Sequence, residues 1–239
     1  MKPIYKRIIL KISGEALANE VDRTILDHAK LKNIASTVKS IVSLGVEVGI
    51  VVGAGNIWRG RLADKIGIEQ ATADYMGMLG TIMNGLAIES ALEEQGLHCR
   101  VMSAINVPQV CEPYIRLKAI THLEKGRVVI FAGGTGNPYF TTDSCATLRA
   151  LEVQADAILM GKNGVDGVFD SDPRTNPNAK LLTDLTYHEV VEQKLGVLDL
   201  TAVAMLEGKS VVVRVFNMAN PENPLKVLAG EPIGTILHS

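Results

Sequence analysis

Short runs of β-branched and apolar residues alternate with segments of helical periodicity along nearly the whole chain, and this alternation is the strongest constraint on its fold. Arg7 to Ile12 reads as a buried strand. Leu31, Ile34, Ala35, Val38, Ile41 and Val42 recur at helical spacing, and Gly45 closes that helix. Strands are predicted at Val46 to Val52, His98 to Met102, Val128 to Phe131, Ala157 to Met160, Val211 to Val215 and Thr235 to Leu237. Helices are predicted from Thr72 to Gln95 and from Asp143 to Val153, the latter with Thr142 as its cap. Thr186 and Glu189 have the spacing of a capping box. Such alternation implies an α/β three-layer sandwich, a mostly parallel sheet with helices on both faces. Ligands then bind at loops beyond the carboxyl ends of the strands.

Composition narrows the function. Of 239 residues, 47% are hydrophobic, enough for a sizeable core in one large domain or two modest lobes. A net charge of −2 without a clustered basic face predicts no binding to nucleic acid. No apolar run approaches the ~20 residues of a membrane span. The apolar run Ile8 to Leu10 stops at Lys11, too short for a signal peptide, so a cytoplasmic location is expected. Cys99, Cys111 and Cys145 form no metal or disulfide pattern. The five histidines show no ligand spacing and read as structural.

The predicted helix from Thr72 to Gln95 is apolar over more than the ~100° stripe of a surface helix. Met76, Met78, Leu79, Ile82, Met83 and Leu86 fit either burial in a large core or a subunit interface.

Three glycine-bearing segments each follow a predicted strand: Lys11-Ile12-Ser13-Gly14, Gly53 to Gly60, and Gly133 to Pro138. Glycine lets a backbone approach a ligand closely, and exposed N–H groups there can cradle phosphate oxygens. Three such loops, two with a cation, suggest that several phosphates bind together. A P-loop is absent, because Val203 stands where its first glycine belongs before Gly208-Lys209-Ser210. The dinucleotide fingerprint fails at Trp58, and no hydrolase elbow or metal helix is present.

The motifs together resemble the bacterial UMP kinases of the amino-acid-kinase family. The resemblance is carried by Lys11 to Leu17 (KISGEAL), Gly53 to Gly60 (GAGNIWRG), Ala73 to Met78 with Asn84-Gly85, Gly134 to Asp143 (GTGNPYFTTD), Val165 to Phe169 with Asp172-Pro173, and Arg214 to Asn217. They fall in order over nearly the whole chain. The resemblance implies a single domain, 1–239, of carbamate-kinase-like fold. Residues to about 155 would form the UMP side and residues from about 156 the ATP side.

It further implies transfer of the γ-phosphoryl group of ATP to UMP in pyrimidine nucleotide synthesis, with Mg²⁺ accompanying ATP and a homohexameric assembly. Lys11, Arg59 and Asp143 would be catalytic. Lys11, Ile12, Ser13, Gly14, Gly55, Arg59, Asn163, Phe169 and Asp172 would hold ATP. Gly53, Ala54, Asp74, Thr135, Gly136, Asn137, Pro138, Tyr139, Phe140, Thr141 and Thr142 would hold UMP. Asp156 is a weaker site candidate, and no metal ligand is assigned. Ala54 departs from the family's middle glycine, which matters if that position needs positive φ. Asn19 to Thr24 lacks the glycines of GTP-activated relatives, so little GTP activation is expected. The competing readings are a kinase with a carboxylate acceptor and a non-catalytic storage protein of the same fold.

Overall fold

A computed structural model describes residues 2–19, 21–162 and 164–239. The chain runs β1 (Arg7–Ile12), α1 (His28–Ser43), β2 (Glu47–Val52), α2 (Ala63–Ile66), α3 (Gln70–Glu94), β3 (Cys99–Ser103), β4 (Glu112–Pro113), α4 (Arg116–Glu124) and β5 (Val128–Ala132). It continues through α5 (Thr142–Glu152), β6 (Ala157–Lys162), β7 (Val168–Phe169), β8 (Leu181–Leu182), β9 (Asp184–Thr186) and α6 (Tyr187–Glu192). The last elements are α7 (Leu200–Leu206), β10 (Val212–Asn217), α8 (Asn223–Leu228) and β11 (Thr235–His238).

Nine strands form one sheet in the order β4-β3-β5-β2-β1-β6-β10-β11-β9. Every pairing in it is parallel except β10 with β11, so the predicted mostly parallel sheet is observed. β1 lies at its centre and alternates between two cores. Ile8, Leu10 and Ile12 pack with α1, α3 and α8, whereas Ile9 packs on the other face with α4, α5 and α7. Ile8, Ile9 and Leu10 are wholly buried, each contributing about 2 kcal/mol of apolar transfer free energy. Lys11 is two residues beyond Ile9, so it shares the face covered by α5.

The helices begin where their caps dictate. Thr141, not Thr142, caps α5, because its Oγ1 accepts from the N–H groups of Asp143 and Ser144. Thr142 is thereby the first helical residue. α3 starts at Gln70, two residues earlier than the periodicity predicts. The Thr186 and Glu189 capping box is present at α6. The short strands β4 and β7 to β9, and the helices α4, α7 and α8, lack the length that periodicity needs and were not foreseen.

Asp156 is structural. Its Oδ2 accepts from the N–H groups of Lys6 and Arg7, at 2.7 and 2.9 Å, fastening the start of β1 beside β6. The polar stretch 171–179 is an excursion between β7 and β8, closed at its base by the Asp170 N–H to Lys180 carbonyl bond. On α3, Met78, Ile82, Ile88 and Leu92 are buried, while Tyr75, Leu79 and Met83 are about half exposed.

Candidate active site

The three glycine loops follow the carboxyl ends of β1, β2 and β5, and the first two of them meet. At Gly14, an added Cβ would lie 2.5 Å from Asn56 Oδ1 and 2.7 Å from both Gly53 O and Gly55 N. No side chain fits, so the first two loops touch main chain to main chain. Asn84 on α3 holds the second loop in place. Its Nδ2 donates to Gly53 O at 2.7 Å, and its amide pairs with that of Asn56 at 2.8 and 3.0 Å. Gly80, one turn earlier, gives room for Ala54, whose Cβ lies 2.9 Å from where a Gly80 Cβ would stand. Ala54 does not adopt positive φ, so its departure from glycine is free of backbone strain. Ile12 is buried in the core and faces the site only through its carbonyl, which accepts from Gly53 N–H at 2.9 Å.

Charge is concentrated around this junction. Lys11 Nζ lies 2.9 Å from Asp143 Oδ1, and both side chains are largely buried. The contact is an ion pair off the line of a hydrogen bond, and Oδ1 has no hydrogen-bond partner among the described residues. Asp143 therefore does more than occupy the first turn of α5. Arg59 spans the loop mouth, with Nε donating to Gly55 O at 3.1 Å and Nη2 2.8 Å from Glu15 Oε1. Its side chain is 39% exposed, so part of the guanidinium stays available to an anion.

Two clefts open nearby, one reaching Thr142 next to Asp143 and the other reaching Lys162. The first, about 320 Å³, lies between α3, the second glycine loop and segment 134–142. That volume is within the ~300–1,000 Å³ of small-molecule sites. Ala54, Gly55, Asp74, Thr135, Asn137, Phe140, Thr141 and Thr142 line it, together with Trp58, the only tryptophan. Trp58 Nε1 is buried and has no hydrogen-bond partner among the described residues. Asp74 sits on the fifth residue of α3, so it is not a helix cap. Its Oδ2 accepts from Tyr139 N–H and its Oδ1 from Gln70 Nε2, both at 2.7 Å. Tyr139 adopts φ of +69° in the adjoining loop.

The second cleft, about 540 Å³, is lined by Phe169, Asp172, Arg174, Val215 and Lys162, among others. Asp172 is tied to Arg174, whose Nε lies 3.1 Å from its Oδ1. Asn163, expected at the ATP side, lies outside the described residues. The structure thus brings Lys11, Ser13, Gly14, Gly53, Gly55, Arg59 and Asp143 to one junction. Asp74 and segment 135–142 stand on one side, Phe169 and Asp172 on the other.

Four contributors have roles that the sequence does not reveal, although Glu15 and Asn84 lie in segments that carry the family resemblance. Glu15 orients Arg59. Asn84 anchors the second loop. Lys162 falls two residues past the predicted end of its strand. Asp199 caps α7 through Ala202 N–H at 2.8 Å and also accepts from Thr141 Oγ1 and Ser144 Oγ, joining the starts of α5 and α7. Burial acts to raise the Asp199 pKa, but the hydrogen bonds from Thr141, Ala202 and Ser144 prevail and lower it. An N-cap Asp at 199 is visible in the sequence, whereas its partners lie more than fifty residues away.

A parallel sheet whose strand ends carry phosphate-sized glycine loops, a buried Lys–Asp pair and two nearby clefts is the arrangement of a phosphotransferase. The chain belongs to the amino acid kinase family, whose model matches residues 6–217. Among solved structures it is similar to the UMP kinase of Bacillus anthracis, at 43% identity over 98% of this chain and 96% of that one, with a TM-score of 0.95. The UMP kinase of Ureaplasma parvum is 40% identical over 100% of both chains, with a TM-score of 0.93. The uridylate kinase of Archaeoglobus fulgidus is 27% identical over 96% of this chain and 99% of that one, with a TM-score of 0.72.

Proposed function

We propose that the protein is a UMP kinase, transferring the γ-phosphoryl group of ATP to UMP to give UDP and ADP in pyrimidine nucleotide synthesis. The observation that carries this reading is the Lys11–Asp143 pair, beside the junction of the first two glycine loops, in a chain similar over nearly its full length to two bacterial UMP kinases. The first cleft takes UMP and the second the adenosine of ATP, so the acceptor side falls in residues to about 155 and the donor side beyond.

Phosphoryl transfer requires alignment and charge neutralisation more than covalent chemistry. Lys11 places its ammonium on the group in flight, and Asp143 orients it. Ser13, Gly14 and Gly55, with the Ile12 main chain, supply the backbone cradle for the ATP phosphates. Arg59, preset by Glu15, binds phosphate oxygens of donor and acceptor. Gly53 and Ala54 hold the UMP phosphate. Asp74 accepts from the ribose hydroxyls with the lone pairs that Tyr139 and Gln70 leave free. Segment 135–142, from Thr135, Gly136, Asn137, Pro138, Tyr139 and Phe140 to Thr141 and Thr142, wraps the nucleotide and reads its base. Phe169 and Asp172 line the adenosine side, to which the family resemblance also assigns Asn163.

Mg²⁺ fits this site as a cation carried by the nucleotide. The carboxylates nearest the junction, Asp143 and Glu15, are engaged with Lys11 and Arg59, so the ion would be held mainly by phosphates and water. When bound, the ion neutralises charge on the β- and γ-phosphates. The exposed Tyr75, Leu79 and Met83 on α3 support self-association, hexameric as the family resemblance implies. Among the described residues no helix is long and apolar enough to cross a membrane, which supports a cytoplasmic location. Asn19 and Thr24 pair in an isolated antiparallel bridge, and weak or absent GTP activation goes with this reading.

A coupled assay of ADP release from Mg-ATP tests the assignment, comparing UMP, CMP, dTMP, aspartate and acetylglutamate. Turnover confined to UMP is the expected outcome. Turnover with an amino acid alone discards the acceptor assignment, and none at all favours a storage protein. Initial rates with and without GTP are expected to agree; a several-fold rise refutes that part.

A further inference from the structure

Lys162 is a cation of this site that neither motif nor resemblance singles out. It ends β6, the strand beside β1. Lys11 pairs in register with Met160, and Lys162 lies two residues beyond, so all three side chains stand on the same face of the sheet. That face is covered by α5, which brings Asp143. Lys162 is half-buried and lines the second cleft beside Phe169 and Asp172. Among the described residues no carboxylate lies within ion-pairing distance of its ammonium; Asp143 is paired with Lys11 instead. Burial, then the neighbouring charge of Lys11, push the Lys162 pKa down, and Asp143 only partly offsets them. Two sequestered cations thus share one carboxylate, beside the positive N-terminus of α5. Such an excess of positive charge is costly to bury unless an anion completes it.

We propose that Lys162 is a second phosphate-binding cation of the catalytic centre, standing on the donor side of Lys11. It contacts the phosphate chain of the nucleoside triphosphate and stabilises the charge left on the departing diphosphate. Lys11 and Lys162 then flank the bond that breaks, one toward the transferred group and the other toward the leaving group. This inference rests on the assignment of the second cleft to the donor, but not on the identity of the acceptor.

Lys162→Met and Lys162→Arg test it in the full chain, with Mg-ATP affinity measured by calorimetry and kcat and KM by the coupled assay. Lys162→Met is expected to weaken Mg-ATP binding about tenfold or more and to lower kcat by ~10²-fold, as for other groups that stabilise transition-state charge. KM for UMP should stay within about threefold, and Lys162→Arg should recover part of both losses. Mg-ATP affinity and kcat both within about twofold of the parent would overturn the proposal. Should Lys162→Met not fold, acylation of the parent protein decides instead. Mg-ATP should protect the Lys162 amine from acetic anhydride, read by peptide mass spectrometry, and UMP alone should not. Equal labelling with and without Mg-ATP overturns the proposal. A parent protein that binds Mg-ATP yet leaves UMP unphosphorylated fails the acceptor assignment and leaves this test intact.

Discussion

The backbone N–H of Tyr139 donates to Asp74 Oδ2 at 2.7 Å, so a carboxylate on α3 holds the one residue of segment 135–142 that adopts left-handed backbone without being glycine. Left-handed backbone costs a side-chain-bearing residue about 1 kcal/mol or more, and the charge-assisted bond offsets it. The same carboxylate is the proposed ribose acceptor. Asp74→Ala should therefore raise KM for UMP by about tenfold or more, through lost contacts and a loosened loop together. The fall in kcat should be smaller. Trp58 fluorescence gives a second readout of the same cleft, and an unchanged UMP titration in Asp74→Ala would remove Asp74 from the acceptor site.

Lys11 and Asp143 should behave as a unit. Lys11→Met is expected to lower kcat by ~10²-fold or more. Asp143→Ala should also lower kcat, by removing the group that orients the ammonium. The double variant should be little worse than Lys11→Met alone, since residues acting on one event are not additive. Multiplicative losses in steady-state kinetics would mean that the two side chains act separately.

The contact between Ala54 and Gly80 makes a paired prediction. Gly80→Ala forces two methyl groups toward the 2.9 Å separation and should destabilise the protein by about 1–3 kcal/mol, read by denaturant unfolding. Ala54→Gly in the same chain should restore most of that loss. A Gly80→Ala protein as stable as its parent would mean that α3 shifts freely against the loop.

Asp199 gives a dependence on pH. Its pKa is lowered in the folded state, so its contribution is present above the unfolded value of about 3.9 and is lost as pH falls through the folded one. Asp199→Ala should cost about 1 kcal/mol near neutral pH, a typical capping loss. The stability gap between parent and variant should narrow below about pH 4. A gap independent of pH would place the loss in packing rather than charge. Because Asp199 reaches Thr141 and Ser144 on either side of Asp143, KM for UMP should rise as well.

The central sheet was legible because its strands are buried on both faces, and residues such as Ile8 to Leu10 read as unbroken apolar runs. The ends of elements were not. The β6 strand was expected to stop at Met160, where Gly161 interrupts the apolar run, and Lys162 was lost from view for that reason. The α5 cap was placed at Thr142 because two adjacent threonines satisfy the same preference, and only the bonds from Asp143 and Ser144 choose between them. Lys11, Arg59 and Asp74 stand within recognisable motifs. Glu15, Asn84 and Asp199 act through partners on other elements, which no local pattern reveals.

The meeting of Gly14 with Gly53 and Gly55 has a consequence for how the protein can vary. Where glycines of two loops press on each other's main chain, those positions offer no side chain for a mutation to trim or recharge, and at Gly14 none can be added. Heritable adjustment is confined to the periphery, in segment 135–142 and in the excursion between β7 and β8. Preference for one nucleotide over another can drift there while the centre that moves the phosphoryl group stays as it was.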